Sequence, residues 1–376
     1  MTRKVVHIIN DLRKGGTNNC FVNLISEIDP SATIICINKK DYYYDYLLLK
    51  EFKVYYLDNS SILKFLTSFY TIIKILRKER FSILSCWLYK SCLFGGLFSI
   101  FFRNKNVIWN IRHSDTSFNI KDLRKFTVIR LCSIITKLKK INIIYNSYCA
   151  MESHKNIGFK SPKIEVINNS FDTFKFKNSK NKKFFLERYG IQNNKLIISM
   201  YGRYHPIKNH ITLLECISQI YKTVPDIHLF LAGQGINNQN LTLKKAIKSF
   251  KIEKITTLAG FLGEEELIDA YSSSDLTVLT SSSESFPNVI GESMSCMTPC
   301  VSFNVGDCKK LIGNTGWITK NNNLSSLIYT LEKAINFTRE KTNWLNMRKR
   351  CHQRIRDLFN YEKEIAKYEN YYQKLK

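Results

Sequence analysis

Acidic side chains are scarce in this chain: among its 376 residues, 31 Asp and Glu stand against 57 Lys and Arg, a formal charge of +26. The imbalance is steepest through residue 177, with 29 basic residues against 13 acidic ones, and eases to 28 against 18 afterwards. Such an excess points to an anionic surface or substrate for the first half. A Lys-, Asn-, Ile- and Tyr-rich composition also fills solvated faces with lysine. Long apolar runs are missing too. The longest, Cys92 to Phe102, has 11 residues, well short of the roughly 20 that span a bilayer, so membrane contact is expected to be peripheral. The 11 cysteines lack paired spacing. Cys36, Cys86 and Cys132 sit in apolar runs, and Cys296, Cys300 and Cys308 have no His or Cys pair to complete a zinc pattern, so reduced structural thiols and no metal are expected. Met1-Thr2-Arg3-Lys4 leads straight into the strand-like Val5-Val6-His7-Ile8-Ile9, which predicts no secretory signal and a cytoplasmic protein. No repeat of 20 to 50 residues recurs, which argues against a solenoid. No nucleic-acid recognition module accompanies the charge, and the aromatics fall mainly on core periods, so nucleic-acid binding remains a second alternative and no nucleic-acid partner is expected.

What is present is a rhythm of short β-branched runs and helical patterns, the mark of parallel sheets covered on both faces. Strands are predicted at 4–10, 32–38, 53–57, 82–86, 106–111, 141–145 and 163–167. A polar stretch from Asn168 to Lys195, densest at Asn178 to Lys183, reads as a linker. Strands then restart at 196–201, 226–231, 255–258, 276–279 and 300–303. The expected fold is α/β, two Rossmann-like domains facing each other across a cleft. From Thr342 to Lys376 runs one long helical pattern with a kink near Asn360, presenting Tyr361, Ile365, Tyr368 and Tyr372 along one face.

Three loops carry chemistry. In Ser283-Glu284-Ser285-Phe286-Pro287-Asn288-Val289-Ile290-Gly291-Glu292-Ser293, Pro287 is placed to start a helix, with Glu284 in the loop before it and Glu292 on it. A helix start collects backbone N–H groups and a partial positive charge that suit phosphate. Two carboxylates bracketing such a site suit a sugar nucleotide. In Gly202-Arg203-Tyr204-His205-Pro206-Ile207-Lys208, Arg203 and Lys208 follow a strand and can converge on a diphosphate. Gly15-Gly16-Thr17 makes a turn between the first strand and a helix that Thr17 is expected to cap. A fourth strand end, Arg112-His113-Ser114-Asp115, places His113 among polar groups.

Taken in order, these segments, with Gly306 and with Ala232-Gly233-Gln234-Gly235, Leu258-Ala259-Gly260-Phe261 and Val166-Ile167-Asn168-Asn169-Ser170, resemble the retaining GT-B glycosyltransferases of the fourth family. The spacing Glu284, seven residues, Glu292 is that family's signature. Ser170 stands where relatives usually carry glycine. The resemblance implies a GT-B enzyme with an acceptor-side domain at 1–172, a nucleotide-sugar domain at 173–358, and a C-terminal helix at 359–376 returning to the first domain. It further implies that Arg203 and Lys208 hold the donor diphosphate, that Glu292 holds the ribose, and that Glu284 with Asn288 lines the sugar pocket. Gly15, Gly16, Phe261, Pro287 and Val289 complete the donor site, and His113 contacts donor or acceptor. Glu284 and His113 are the candidate catalytic residues. No Asp-x-Asp occurs, the pair by which the other glycosyltransferase architecture holds a metal. A metal-independent hexosyltransferase without a cofactor is therefore expected, with a UDP sugar as co-substrate and retention of configuration. Its expected acceptor is a lipid-linked or polysaccharide intermediate of bacterial lipopolysaccharide, O-antigen or capsule. The alternative within the fold is a sugar-nucleotide epimerase. Between Lys121 and Lys140, seven basic residues against one acid, with Phe126, Ile129, Leu131, Ile134, Ile135 and Leu138, predict attachment to an anionic membrane surface, on the inner face of the cytoplasmic membrane.

Overall fold

The computed structural model describes residues 4–13, 15–38, 41–57, 62–102, 105–116, 123–179 and 181–375, without the side chains of residues 62, 63, 65 and 66. The chain forms two compact units, Met1–Asn169 with Glu362–Lys376, and Ser170–Tyr361.

The first unit is built on seven parallel strands: β1 (Val5–Ile9), β2 (Thr33–Cys36), β3 (Lys53–Tyr56), β4 (Ile83–Trp87), β5 (Asn106–Ile111), β6 (Asn142–Tyr145) and β7 (Ile164–Val166). They lie in the order β3-β2-β1-β4-β5-β6-β7. Strand period decides the layers. Val6 and Ile8 point into one apolar cluster with α3 (Ile62–Glu79), α4 (Tyr89–Phe98) and α5 (Leu123–Leu138). Val5 and Ile9 point into the other, with α1 (Gly16–Ile28), Leu47 of α2 (Tyr44–Leu49), and Tyr368, Tyr371 and Tyr372 of the C-terminal helix Tyr361–Gln373. A sixth helix, α6 (Tyr148–Asn156), follows β6 and starts on Ser147, whose hydroxyl accepts from the Ala150 N–H. Glu79 is 2% exposed, beneath Lys4 at 2.5 Å and Lys53. Burial alone would raise its pKa, but the two ammonium groups prevail and hold it at about 2.

The second unit carries β8 (Leu196–Tyr201), β9 (Ile227–Ala232), β10 (Thr256–Leu258), β11 (Leu276–Leu279), β12 (Cys300–Ser302) and β13 (Trp317–Ile318), all parallel, in the order β10-β9-β8-β11-β12-β13. Ile198 and Met200 of β8 face one cluster, Ile197 and Tyr201 the other. The order reverses between β8 and β11, the place where open α/β sheets bind ligands beyond their carboxyl ends. Its helices are α7 (Lys182–Tyr189), α8 (His210–Tyr221), α9 (Leu241–Ser249), α10 (Glu264–Ser273), α11 (Asn288–Ser295), α12 (Cys308–Ile312), α13 (Leu324–Thr338) and α14 (Lys341–Leu358).

The structure corrects three local expectations and sharpens a fourth. The stretch read as a linker contains α7, because Phe185 and Leu186 bury their side chains in the second unit's core; Lys180 lies outside the described residues. The last helical pattern is interrupted where its kink is expected, as two helices that part at Phe359, whose carbonyl accepts the Phe171 N–H at 3.0 Å. Thr17 does not cap α1, which starts from Gly15 with no side-chain cap. Pro287 is the cap residue of α11 rather than its first turn. No disulfide joins cysteines among the described residues. Among the described residues no helix is long and apolar enough to cross a membrane.

Candidate functional site

The loops leaving β8, β9 and β10 are laced by their backbones. Gly202 N–H donates to Ala232 O at 2.9 Å, Tyr204 N–H to Gln234 O at 2.8 Å, and Gly233 N–H to Gly260 O at 2.7 Å. The approach demands glycine at 233, where φ is +147° and a Cβ would sit 2.1 Å from Gly202 O. This scaffold ends in the turn Pro206–Lys208, started by His205, whose Nδ1 accepts from the Ile207 N–H at 3.2 Å.

Across the strand reversal, the loop after β11 is fastened to that turn. Thr280 Oγ1 donates to Lys208 O at 3.0 Å, and Ser282 N–H donates to Ile207 O at 2.8 Å. The loop after β12 supports it from the other side. Asp307 N–H donates to Ser285 O at 3.0 Å, a contact that needs Gly306, since a Cβ there would fall 2.4 Å from Glu284 O. The result is an ion pair that spacing could not reveal: Lys208 Nζ lies 2.6 Å from Glu284 Oε1, with the two side chains 20% and 16% exposed. Sequence reading gives these two residues separate partners, and the structure gives them each other. Arg203 is exposed and makes no ion pair or side-chain hydrogen bond among the described residues.

Glu292 lies on α11 and accepts from the Tyr271 hydroxyl at 2.9 Å. Burial pushes its carboxyl up, the tyrosine pulls it down, and Glu264 adds to the rise. Tyr271, buried on α10 against Tyr201 with ring centroids 4.3 Å apart, was not singled out from sequence because a tyrosine on an apolar helical period reads as core. Thr280 and Ser282 were missed for a similar reason, as members of a turn-prone run. Pro287, Asn288 and Val289 open α11, and Phe261 projects after β10, 58% exposed. In the second unit Arg203 and Lys208 thus follow β8 while Glu284, Asn288 and Glu292 follow β11, and Lys208 meets Glu284 across the strand reversal.

The first unit holds the remaining candidates. Gly15 and Gly16 form the turn into α1, beside a network in which Asn18 Nδ2 donates to Asp11 Oδ1 at 3.0 Å and to Arg13 O at 2.8 Å. Arg112, buried at the end of β5, lies over the Trp87 ring at 4.8 Å, donates to Asn169 Oδ1 at 2.9 Å and to the Tyr368 hydroxyl. It is therefore a bracket for the C-terminal helix. His113 is exposed beside it, its ring 6.2 Å from that of Tyr89. The Tyr89 hydroxyl pairs with His154 Nε2 at 2.8 Å, and burial lowers the His154 pKa to about 4. Asp115, the nearest carboxylate in sequence, is ion-paired with Lys125 at 3.0 Å.

The model of the family glycosyl transferases group 1 matches residues 181–357, which fall within the second unit. N-acetyl-alpha-D-glucosaminyl L-malate synthase of Bacillus anthracis is 26% identical over 189 residues, 50% of this chain and 47% of its own length. An uncharacterized glycosyltransferase of Haemophilus influenzae is 25% identical over 342 residues, 89% and 86% of the two chains. The match spans about half the length of the first of these. The crystal structure of Anabaena HepE in complex with UDP superposes with a TM-score of 0.86 at 17% identity, covering 99% of this chain and 100% of that one. That likeness is one of fold: two Rossmann-like parallel sheets with their helices, the GT-B class.

Proposed function

We propose that the chain, whose residues 181–357 match the model of the group 1 glycosyl transferases, transfers a sugar from a nucleotide donor to an acceptor hydroxyl with retention of anomeric configuration. The observation that carries this reading is the set gathered at the strand reversal of the second unit. It combines an exposed unpaired guanidinium, an ammonium held by a carboxylate, a helix start, and a second carboxylate gripped by a tyrosine. Arg203 and Lys208 take the diphosphate, Glu292 takes the ribose hydroxyls, Phe261 lies beside the base, and Glu284 with Asn288 and Val289 lines the sugar. The UDP held by HepE supports UDP as the nucleotide. Two cations and the α11 start offset the charge of the leaving diphosphate without a metal ion.

In the transfer itself the acceptor oxygen bonds to the anomeric carbon on the face from which the phosphate oxygen departs. The hydroxyl proton passes to that phosphate. His113 serves as a hydrogen-bond donor rather than as the base, consistent with Asp115, the only nearby carboxylate in sequence, being engaged by Lys125. The acceptor is a lipid-linked or polysaccharide intermediate of a bacterial surface glycan, met on the inner face of the cytoplasmic membrane. Helix α5 supports that location, because Leu131, Ile134 and Leu138 are exposed on it among Arg130 and Lys137. Of the six apolar residues read from sequence as a membrane stripe, Ile129 is buried in the core and Phe126 and Ile135 are half-buried; Lys121 lies outside the described residues.

Calorimetric titration with UDP in the presence of a chelator tests the donor site. Binding is expected without added metal, and Arg203→Ala should weaken it by about 1.5 to 3 kcal/mol, the scale of a hydrogen bond to a charged group. Binding that requires magnesium, or that is indifferent to Arg203, would refute the assignment.

A further inference from the structure

A cavity of about 440 Å³ opens within the second unit between α7, the end of α10, the turn after α11, and the start of α14, and none of the proposed donor-site residues lines it. Its lining includes Lys182, Lys341 and Arg348 and no acidic residue. The three cations differ in their commitments. Lys182 has Asp275 at 3.6 Å, and Arg348 donates to the carbonyl of Ser272 at 3.3 Å, leaving most of its guanidinium donors uncommitted. Lys341 has no ion-pair partner among the described residues. Beside them the wall is apolar, made by Trp344, Leu345 and Met297. A dianion held among these three basic side chains would supply acceptors for all of them. Leu345 is 50% exposed, an apolar surface that a ligand body would cover.

We propose that this cavity is a second binding site, for a small phosphorylated molecule with an apolar or planar part. The phosphate lies among Lys182, Lys341 and Arg348, and the body lies along Trp344 and Leu345. The volume suits a soluble ester rather than an acyl chain. The site adjoins the donor machinery through the backbone. Ser272 follows Tyr271, which grips Glu292, and Met297, held at φ +64°, ends the turn after α11.

The test uses the full chain carrying Arg203→Ala, so that the proposed diphosphate site contributes little phosphate binding. Inorganic phosphate and phenyl phosphate are titrated by calorimetry and by tryptophan fluorescence. Saturable binding is expected for both, tighter for phenyl phosphate, whose ring meets Trp344 and perturbs its emission. Lys341→Gln, at an exposed helix start, should weaken both by about tenfold, as should Arg348→Gln. Absence of saturable binding in the millimolar range would overturn the proposal, as would affinities that neither substitution changes. Because the test is run without a sugar nucleotide, its failure would leave the reading of the donor site standing.

Discussion

Replacing Glu284 by Gln should tighten the binding of UDP while lowering transfer. The Lys208 ammonium is engaged by a carboxylate, 2.6 Å from Glu284 Oε1. A diphosphate that is to be held by Lys208 must take the ammonium from this carboxylate, and must also lie near a negative charge. The pair is neither free in solvent nor sealed from it, with side chains 20% and 16% exposed, so its strength lies near the upper end of the surface range, about 1 kcal/mol. Removing the competing charge should recover that amount and part of the repulsion, a gain in affinity of about five- to tenfold. Turnover should fall, because the amide can no longer interact as a carboxylate with the donor sugar. Calorimetry on wild type, Glu284→Gln, Lys208→Ala and the double variant forms a closed cycle. The gain should vanish in the Lys208→Ala background apart from the small repulsive part. UDP affinity that falls in Glu284→Gln, or that rises equally with and without Lys208, would refute the competition.

Tyr271→Phe should remove the donor that lowers the Glu292 pKa, leaving burial to raise it further. UDP affinity that depends on ionised Glu292 should then begin to fall, as the pH is lowered, at a higher pH than in wild type; coincident pH profiles would contradict the role. Glu79→Gln should destabilise the first unit by about 1 to 3 kcal/mol at neutral pH, in proportion to a folded pKa near 2 against about 4.5 unfolded. That stability is present above the unfolded pKa and is lost as pH falls through the folded one, so denaturation curves of the two proteins should converge in acid. Leu131→Gln, Ile134→Gln and Leu138→Gln together should leave stability nearly unchanged, since all three are exposed, yet reduce sedimentation with anionic vesicles at low salt; undiminished binding would remove α5 as the attachment face.

The strands were legible because a parallel sheet buried on both faces requires unbroken β-branched runs, and Val5–Ile9, Asn106–Ile111 and Leu196–Tyr201 supply them. Strand β13, two residues long, has no run to read. The kink expected near Asn360 is a full break between two helices, whose partner Phe171, far away in sequence, captures the Phe359 carbonyl and cannot be read from helical periodicity. In the site, the positions after β8 and β11 could be located from turns and a helix start, since those signals are local. The pairing of Lys208 with Glu284, and of Tyr271 with Glu292, depends on which strands are neighbours in the sheet. Spacing within one segment carries no such information. Arg112 shows the opposite limit: beside His113 it reads as a polar strand end, but its burial against Trp87 and Tyr368 makes it a structural bracket.

The most direct test incubates the full chain with a panel of UDP sugars and a lipid-linked or oligosaccharide acceptor in the presence of a chelator, and reads the anomeric configuration of the product by NMR. The proposed function predicts a new glycosidic bond with the same anomeric configuration as the donor. A product of inverted configuration, or conversion of the UDP sugar to an epimer with no acceptor consumed, would contradict it.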